Sequence, residues 1–262
     1  EIKTFEYDLI NEGWTVARVH IGRNQSVSSV KQSIKNIYQA APSTVKGIVI
    51  LGHIPVPYSG SLYPDGHPDH DGAWPADLYY CDTSFAYWTD VNVNNVNASR
   101  PENINIPGDG KFDQTSISTP LMFVSRIDVY DMPIFSANDT LLMQRYLAKD
   151  HEYRTAAKTY RMKALIDDNF GYFSGEAFGQ NGFRNYASLL SPDSVMVGDY
   201  FPDMKNNSYL WSYGCGGGWY QGAGGVGNSN NFQTDTIQNV FTLLFGSYFG
   251  DWDIQNSFLR AP

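Results

Sequence analysis

The sequence predicts an α/β fold built on a mainly parallel sheet and carrying long polar loops. Three observations predict it. Lys46-Gly-Ile-Val-Ile-Leu51 is a short continuous apolar run, the pattern of a strand buried on both faces. It follows a segment in which Val27, Val30, Ile34 and Ile37 recur at helical spacing behind a capping Ser26. Further apolar runs then alternate with helical stretches to the end of the chain, which implies right-handed crossovers and parallel pairing.

Taken in order, Trp14-Thr-Val-Ala-Arg-Val-His-Ile21 is rich in β-branched residues and reads as a first strand. The Ser26-capped helix runs to about Ala40, and Lys46–Leu51 completes a β-α-β unit. A loop from Gly52 to about Pro75 is dense in Pro, Gly, Asp and His; Asp77-Leu-Tyr-Tyr80 reads as a short strand. A second Asn- and Gly-rich excursion spans Tyr87 to Ser118. Loops of this length inside a compact domain are usually functional or metal-stabilised. Strands follow at 121–127 and 162–167, with a helix between them from about Ala137 to Thr155 that puts Leu141, Leu142, Tyr146 and Leu147 on one face. A helix near Phe183 to Leu190 leads to strands at 195–197, 209–213 and 240–245. No repeat or linker divides the 262 residues, so they read as one domain, with two lobes of about 1–155 and 156–262 as its natural division. An end that falls just after a core strand, with no covering helix, suggests a piece of a longer protein.

Composition narrows the function. Charged residues make up 17% of the chain and aromatics 15%, too apolar a balance for disorder. A net charge of −9 with no basic stripe argues against nucleic acid as a partner. No apolar run approaches the length of a membrane span. Few lysines among many Asn, Tyr, Trp and Gly fit a secreted or cell-surface bacterial protein. Cys81 and Cys215 could pair as a disulfide there, which would leave Cys215 inert.

Several short segments, in this order, resemble the catalytic module of the gingipains, secreted cysteine endopeptidases (peptidase family C25) on a caspase-like α/β fold. Ile48-Val-Ile-Leu-Gly52 is similar to the family strand that ends in a Gly-polar turn. Ala76-Asp-Leu-Tyr-Tyr80 is similar to its Asp-x-x-Tyr segment, and Phe123-Val-Ser-Arg-Ile-Asp128 to its Gly-Arg strand. The resemblance implies a caspase-like three-layer sandwich. It also implies a base from a His-Gly strand end and a nucleophilic Cys at the end of the next core strand. In this chain Cys215-Gly216 stands in the His-Gly place and Ser247-Tyr248 in the Cys place, so both family positions are substituted.

Read for chemistry, Cys215 lies between Gly214 and Gly216-Gly-Gly218, where a thiol at a strand end could face backbone amides that form an oxyanion site. A tight packing point or structural thiol is the competing reading. A thiol nucleophile needs a base. His53, directly after the Leu51-Gly52 strand end, is the best candidate. His20 reads as structural, and His151, near a helix C-terminus, as surface or packing. Ser247 is a third candidate nucleophile, without G-x-S-x-G spacing. Asp251 and Asp253, close behind it, suit backbone amides better than a cation. His67-Pro-Asp-His70 lacks the helical geometry of zinc motifs.

Asn105-Ile-Pro-Gly-Asp-Gly-Lys-Phe-Asp113 has the spacing of a compact calcium loop. Its oxygen ligands would come from Asn105, Asp109, the Lys111 carbonyl and Asp113, with an ordinary Asp-Gly turn as the alternative. Two functions follow from these residues. One is a peptidase or hydrolase acting on peptide or protein through Cys215 and His53. The other is a catalytically inactive surface, assembly or binding domain stabilised by calcium.

Overall fold

A computed structural model of the chain describes residues 1–61, 72–83, 87–116, 122–173 and 176–262. In chain order its main elements begin with α1 (Ile2–Asn11), α2 (Val27–Ala40), β1 (Gly47–Leu51), β2 (Phe123–Ile127) and α3 (Asp139–Arg154). They continue with β3 (Ala164–Asp168), α4 (Phe178–Leu189), β4 (Val195–Val197), α5 (Tyr200–Asn206), β5 (Tyr209–Cys215), α6 (Ser229–Thr234) and β6 (Asn239–Phe245). Two compact units result: residues 18–128, and residues 1–17 with 129–262.

In the 18–128 unit, α2 starts where its cap predicts, because Ser26 Oγ accepts the Ser29 amide at 3.1 Å. The apolar stripe of α2 buries Val30 against Ile50, Tyr79 and Tyr80. β1 and β2 pair in parallel, from Gly47 opposite Phe123 to Leu51 opposite Ile127. Leu78–Cys81 is a helical turn and not the expected strand. The reason lies on α2, where the buried Lys31 ammonium donates to the carbonyls of Tyr79, Tyr80 and Asp82 and so satisfies the groups that end the turn. The expected strand at 14–21 does not form. Its β-branched residues find no ladder partner among the described residues, and Trp14 and Val19 lie exposed.

The other unit carries a four-stranded sheet in the order β6-β5-β3-β4, every pair parallel. Strand alternation sorts its side chains. Ala164 and Ile166, with Trp211 and Tyr213, pack under Tyr186 of α4. Leu165 packs with Tyr200, Phe201 and Met204 of α5 on the opposite face, where Phe232 of α6 joins them. Helices thus cover both faces of the sheet, giving three layers. α1, unforeseen in the sequence, lies against α3, where His151 Nδ1 and Asp8 Oδ2 are 2.8 Å apart.

Candidate functional site

The chain runs from β3 to β4 on one side and then crosses back to β5 on the other. The strand order therefore reverses between β3 and β5, and it is beyond the carboxyl ends of such strands that open α/β sheets place ligands. Their last residues, Asp168 and Cys215, are register partners on the α4 face. Cys215 Sγ donates to Asp168 Oδ1 at 3.3 Å, and the same oxygen accepts the amides of Phe170 and Gly171 at 3.1 and 3.0 Å. The thiol is fully buried. Burial first, and then the adjacent carboxylate, push it up to about 12. Since the thiolate is the nucleophile, this environment holds Cys215 in its unreactive form. The neighbouring Tyr213 phenol is pushed up as well, by burial and then by Cys215.

On the other face, Asp167 accepts the Tyr200 amide at 2.9 Å and the Asn169 side-chain amide at 2.7 Å. Burial raises its carboxyl. The paired Asp167-Asp168 at the end of the Ala164-Leu-Ile166 run was the sequence signal for this corner. The strand runs one residue beyond its predicted end, to Asp168, and that residue completes the corner.

The glycines after Cys215 serve close packing. A Cβ at Gly216 would run into the Gly224 carbonyl, and one at Gly218 into the backbone of Ser247. The Gly216 amide donates to the Phe245 carbonyl at 3.2 Å, so it extends the sheet and does not point into an oxyanion site. Ser247 is exposed at the start of a turn, followed by Tyr248 at a φ of +66°. The structure thus gathers Cys215, Ser247 and the glycine run at one corner, as their strand-end positions predict. Both cysteines are free and buried, so no disulfide joins Cys81 to Cys215.

His53 belongs to the 18–128 unit, where it follows Gly52 (φ +86°) at the carboxyl end of β1. His53 Nδ1 lies 2.9 Å from Asp128 Oδ2 at the end of β2. Arg126 approaches the same carboxylate at 3.5 Å and grips Asp77 with two bonds, of 2.6 and 2.7 Å. This geometry fixes the imidazole's orientation, as a carboxylate does for a general base. His20 is exposed and in no strand. His67 and His70, with Asp65, Asp69 and Asp71, lie outside the described residues.

The calcium-loop residues take separate tasks. Asp109 accepts the amides of Ile106 and Lys111 within its own turn, at 3.1 and 2.9 Å. Asp113 turns to another loop and accepts from Thr89, Val91, Asn92 and Val93. Burial would raise the Asp113 carboxyl, but these donors outweigh it and hold it below its ordinary value. The Asn105 side-chain amide donates to the carbonyls of Gly60 and Phe112. Asp90, outside the predicted ligand set, accepts the amides of Gly108 and Gly110, both at 2.7 Å. Amide donors engage the Asp109 and Asp113 carboxylates, while Asn105 Oδ1 is buried without a hydrogen-bond partner among the described residues. Among the described residues no group of three or more His, Cys, Asp or Glu could hold a metal.

A mainly parallel sheet covered by helices on both faces is the architecture of a caspase-like α/β fold. The fold is similar to the crystal structure of gingipain R, an Arg-specific cysteine proteinase, with a TM-score of 0.52 and 12% sequence identity. The match covers 92% of this chain and 50% of that one, so the chain spans about half the length of the structure it matches. No family model matches the sequence, and no curated protein does. Among the described residues no helix is long and apolar enough to cross a membrane.

Proposed function

We propose that this chain is a binding domain on a cysteine-peptidase fold, at the cell surface or secreted, and that Cys215 is not a nucleophile in it. The observation that supports this reading is the Cys215 thiol itself, buried, hydrogen-bonded to Asp168 and pushed up to about 12, where little thiolate forms near neutral pH. The proposed partner is a peptide or protein segment docking at the carboxyl ends of β3, β5 and β6. Residues just past these ends, or closing them, leave large aromatic rings exposed: Tyr172, Trp219, Phe245 and Tyr248. Aromatic rings of this kind are enriched in recognition surfaces. The test is a peptide library presented to the wild-type chain and to Cys215→Ala. Saturable binding without cleavage, equal in the two proteins, is the expected result. Cleavage that Cys215→Ala abolishes would overturn the proposal.

A second reading, hydrolysis with His53 as base, draws support from the His53–Asp128 pair. It requires turnover that His53→Ala removes.

A further inference from the structure

The 18–128 unit contains a cleft of about 210 Å³ that neither the β3 and β5 strand ends nor the predicted dyad uses. Two indoles, Trp74 and Trp88, line it, and Ser59, Gln114, Thr115 and Ser116 bring hydroxyl and amide groups to it. No charged side chain is among the described residues that form its lining. Gly60 serves close packing at its edge, since a Cβ there would run into the Gly72 carbonyl.

The walls are fixed in advance by bonds that do not involve a ligand. Trp88 Nε1 donates to Asp82 at 2.6 Å, and its ring meets Tyr79 edge-on at 5.1 Å. Trp74 pairs with Ser59 in an antiparallel bridge. Ser59 Oγ donates to the Gln114 carbonyl at 2.6 Å, and the Gln114 side chain is tied to Thr89 through both its oxygen and its nitrogen. A preformed wall lowers the entropy lost on binding.

This combination selects a narrow ligand chemistry. The cleft is smaller than the ~300–1,000 Å³ of drug-sized pockets, so it suits one six-membered ring. The indole faces offer a flat apolar surface to a ligand that is itself apolar on one face. Ser59 and Gln114 spend their polar groups on the wall itself, but the hydroxyls of Thr115 and Ser116 require partners at that ligand's rim, because a purely apolar guest would leave them desolvated and unpaired. An anionic guest would meet no cation among the described lining residues, in a chain of net charge −9. We infer that the cleft binds one uncharged pyranose residue, its C–H face stacked on an indole and its hydroxyls bonded to the polar side chains.

The experiment is a titration of the full chain with neutral methyl glycosides of glucose, galactose, mannose and N-acetylglucosamine, followed by the indole N–H resonances of Trp74 and Trp88. At least one glycoside should shift them saturably, with a dissociation constant on the order of 1 mM, and methyl glucuronide should bind at least tenfold more weakly. Trp74→Ala should weaken binding at least tenfold. Thr115→Val, which leaves both indoles in place, should weaken it severalfold if Trp74→Ala fails to fold. Absence of any shift at about 20 mM of every neutral glycoside would overturn the inference. So would undiminished binding in a folded Trp74→Ala chain, or preferential saturation by N-acetyltryptophanamide.

Discussion

The Cys215 environment makes a quantitative prediction about thiol chemistry. The fold moves this thiol from an ordinary 9.0 to about 12. At pH 8 that lowers the thiolate fraction from about one in ten to about one in ten thousand, roughly a thousandfold. Complete burial denies a reagent access and adds to the effect. The assay is Ellman's reagent at pH 8 on a Cys81→Ala chain, which leaves Cys215 as the single thiol, compared in buffer and in guanidinium chloride. Native labelling should be at least a thousandfold slower than in the unfolded chain. Asp168→Asn removes the carboxylate charge beside the sulfur and should recover about tenfold of the loss, the remainder belonging to burial. The same shift has a stability consequence. The unfolded thiol gives up its proton near 9.0 and the folded one only near 12, so this contribution to stability falls as pH rises through that window. Cys215→Ala should flatten that part of the alkaline decline. Native labelling within tenfold of the unfolded rate would refute the argument.

Other perturbations test the rest of the structure. Gly216→Ala should destabilise the chain by about 2 kcal/mol or more in urea melts, because its methyl would enter the space of the Gly224 carbonyl. Ser26→Ala should cost about 1 kcal/mol through the lost cap of α2, measured in the same way. Burial lowers the Lys31 ammonium to about 8, against 10.5 in the unfolded chain. The unfolded state therefore holds more protons between those values, and the stability difference between wild type and Lys31→Met should move in favour of wild type by about 3 kcal/mol as pH rises across them. With Asp109 and Asp113 engaged by amides, millimolar calcium or a chelator should shift the melting midpoint by less than about 1 °C in differential scanning fluorimetry.

Which features were legible follows from how local their causes are. The Ser26 cap and the Val27–Ile37 spacing act within a few turns, and α2 forms where they indicate. β1, β4 and β6 sit within a residue of their apolar runs, although in these strands Ile50 and Val195 alone are buried. Asp77–Tyr80 is too short to carry a usable period, so its own residues do not separate strand from helical turn. Lys31, 48 residues before Tyr79, decides in favour of a helical turn. Trp14–Ile21 has strand composition, but a strand exists only as half of a pair.

By itself the sequence determined an α/β chain with a parallel sheet and the two strand ends at Cys215 and Ser247. Tertiary structure alone decided what Cys215 is. Register between β3 and β5 brings Asp168, 47 residues away in sequence, to the sulfur, and packing of 214–218 against 224–227 and 246–247 turns a glycine run into close contact. A thiol's reactivity is set by the charge and water around it, and both are supplied by segments distant in the chain.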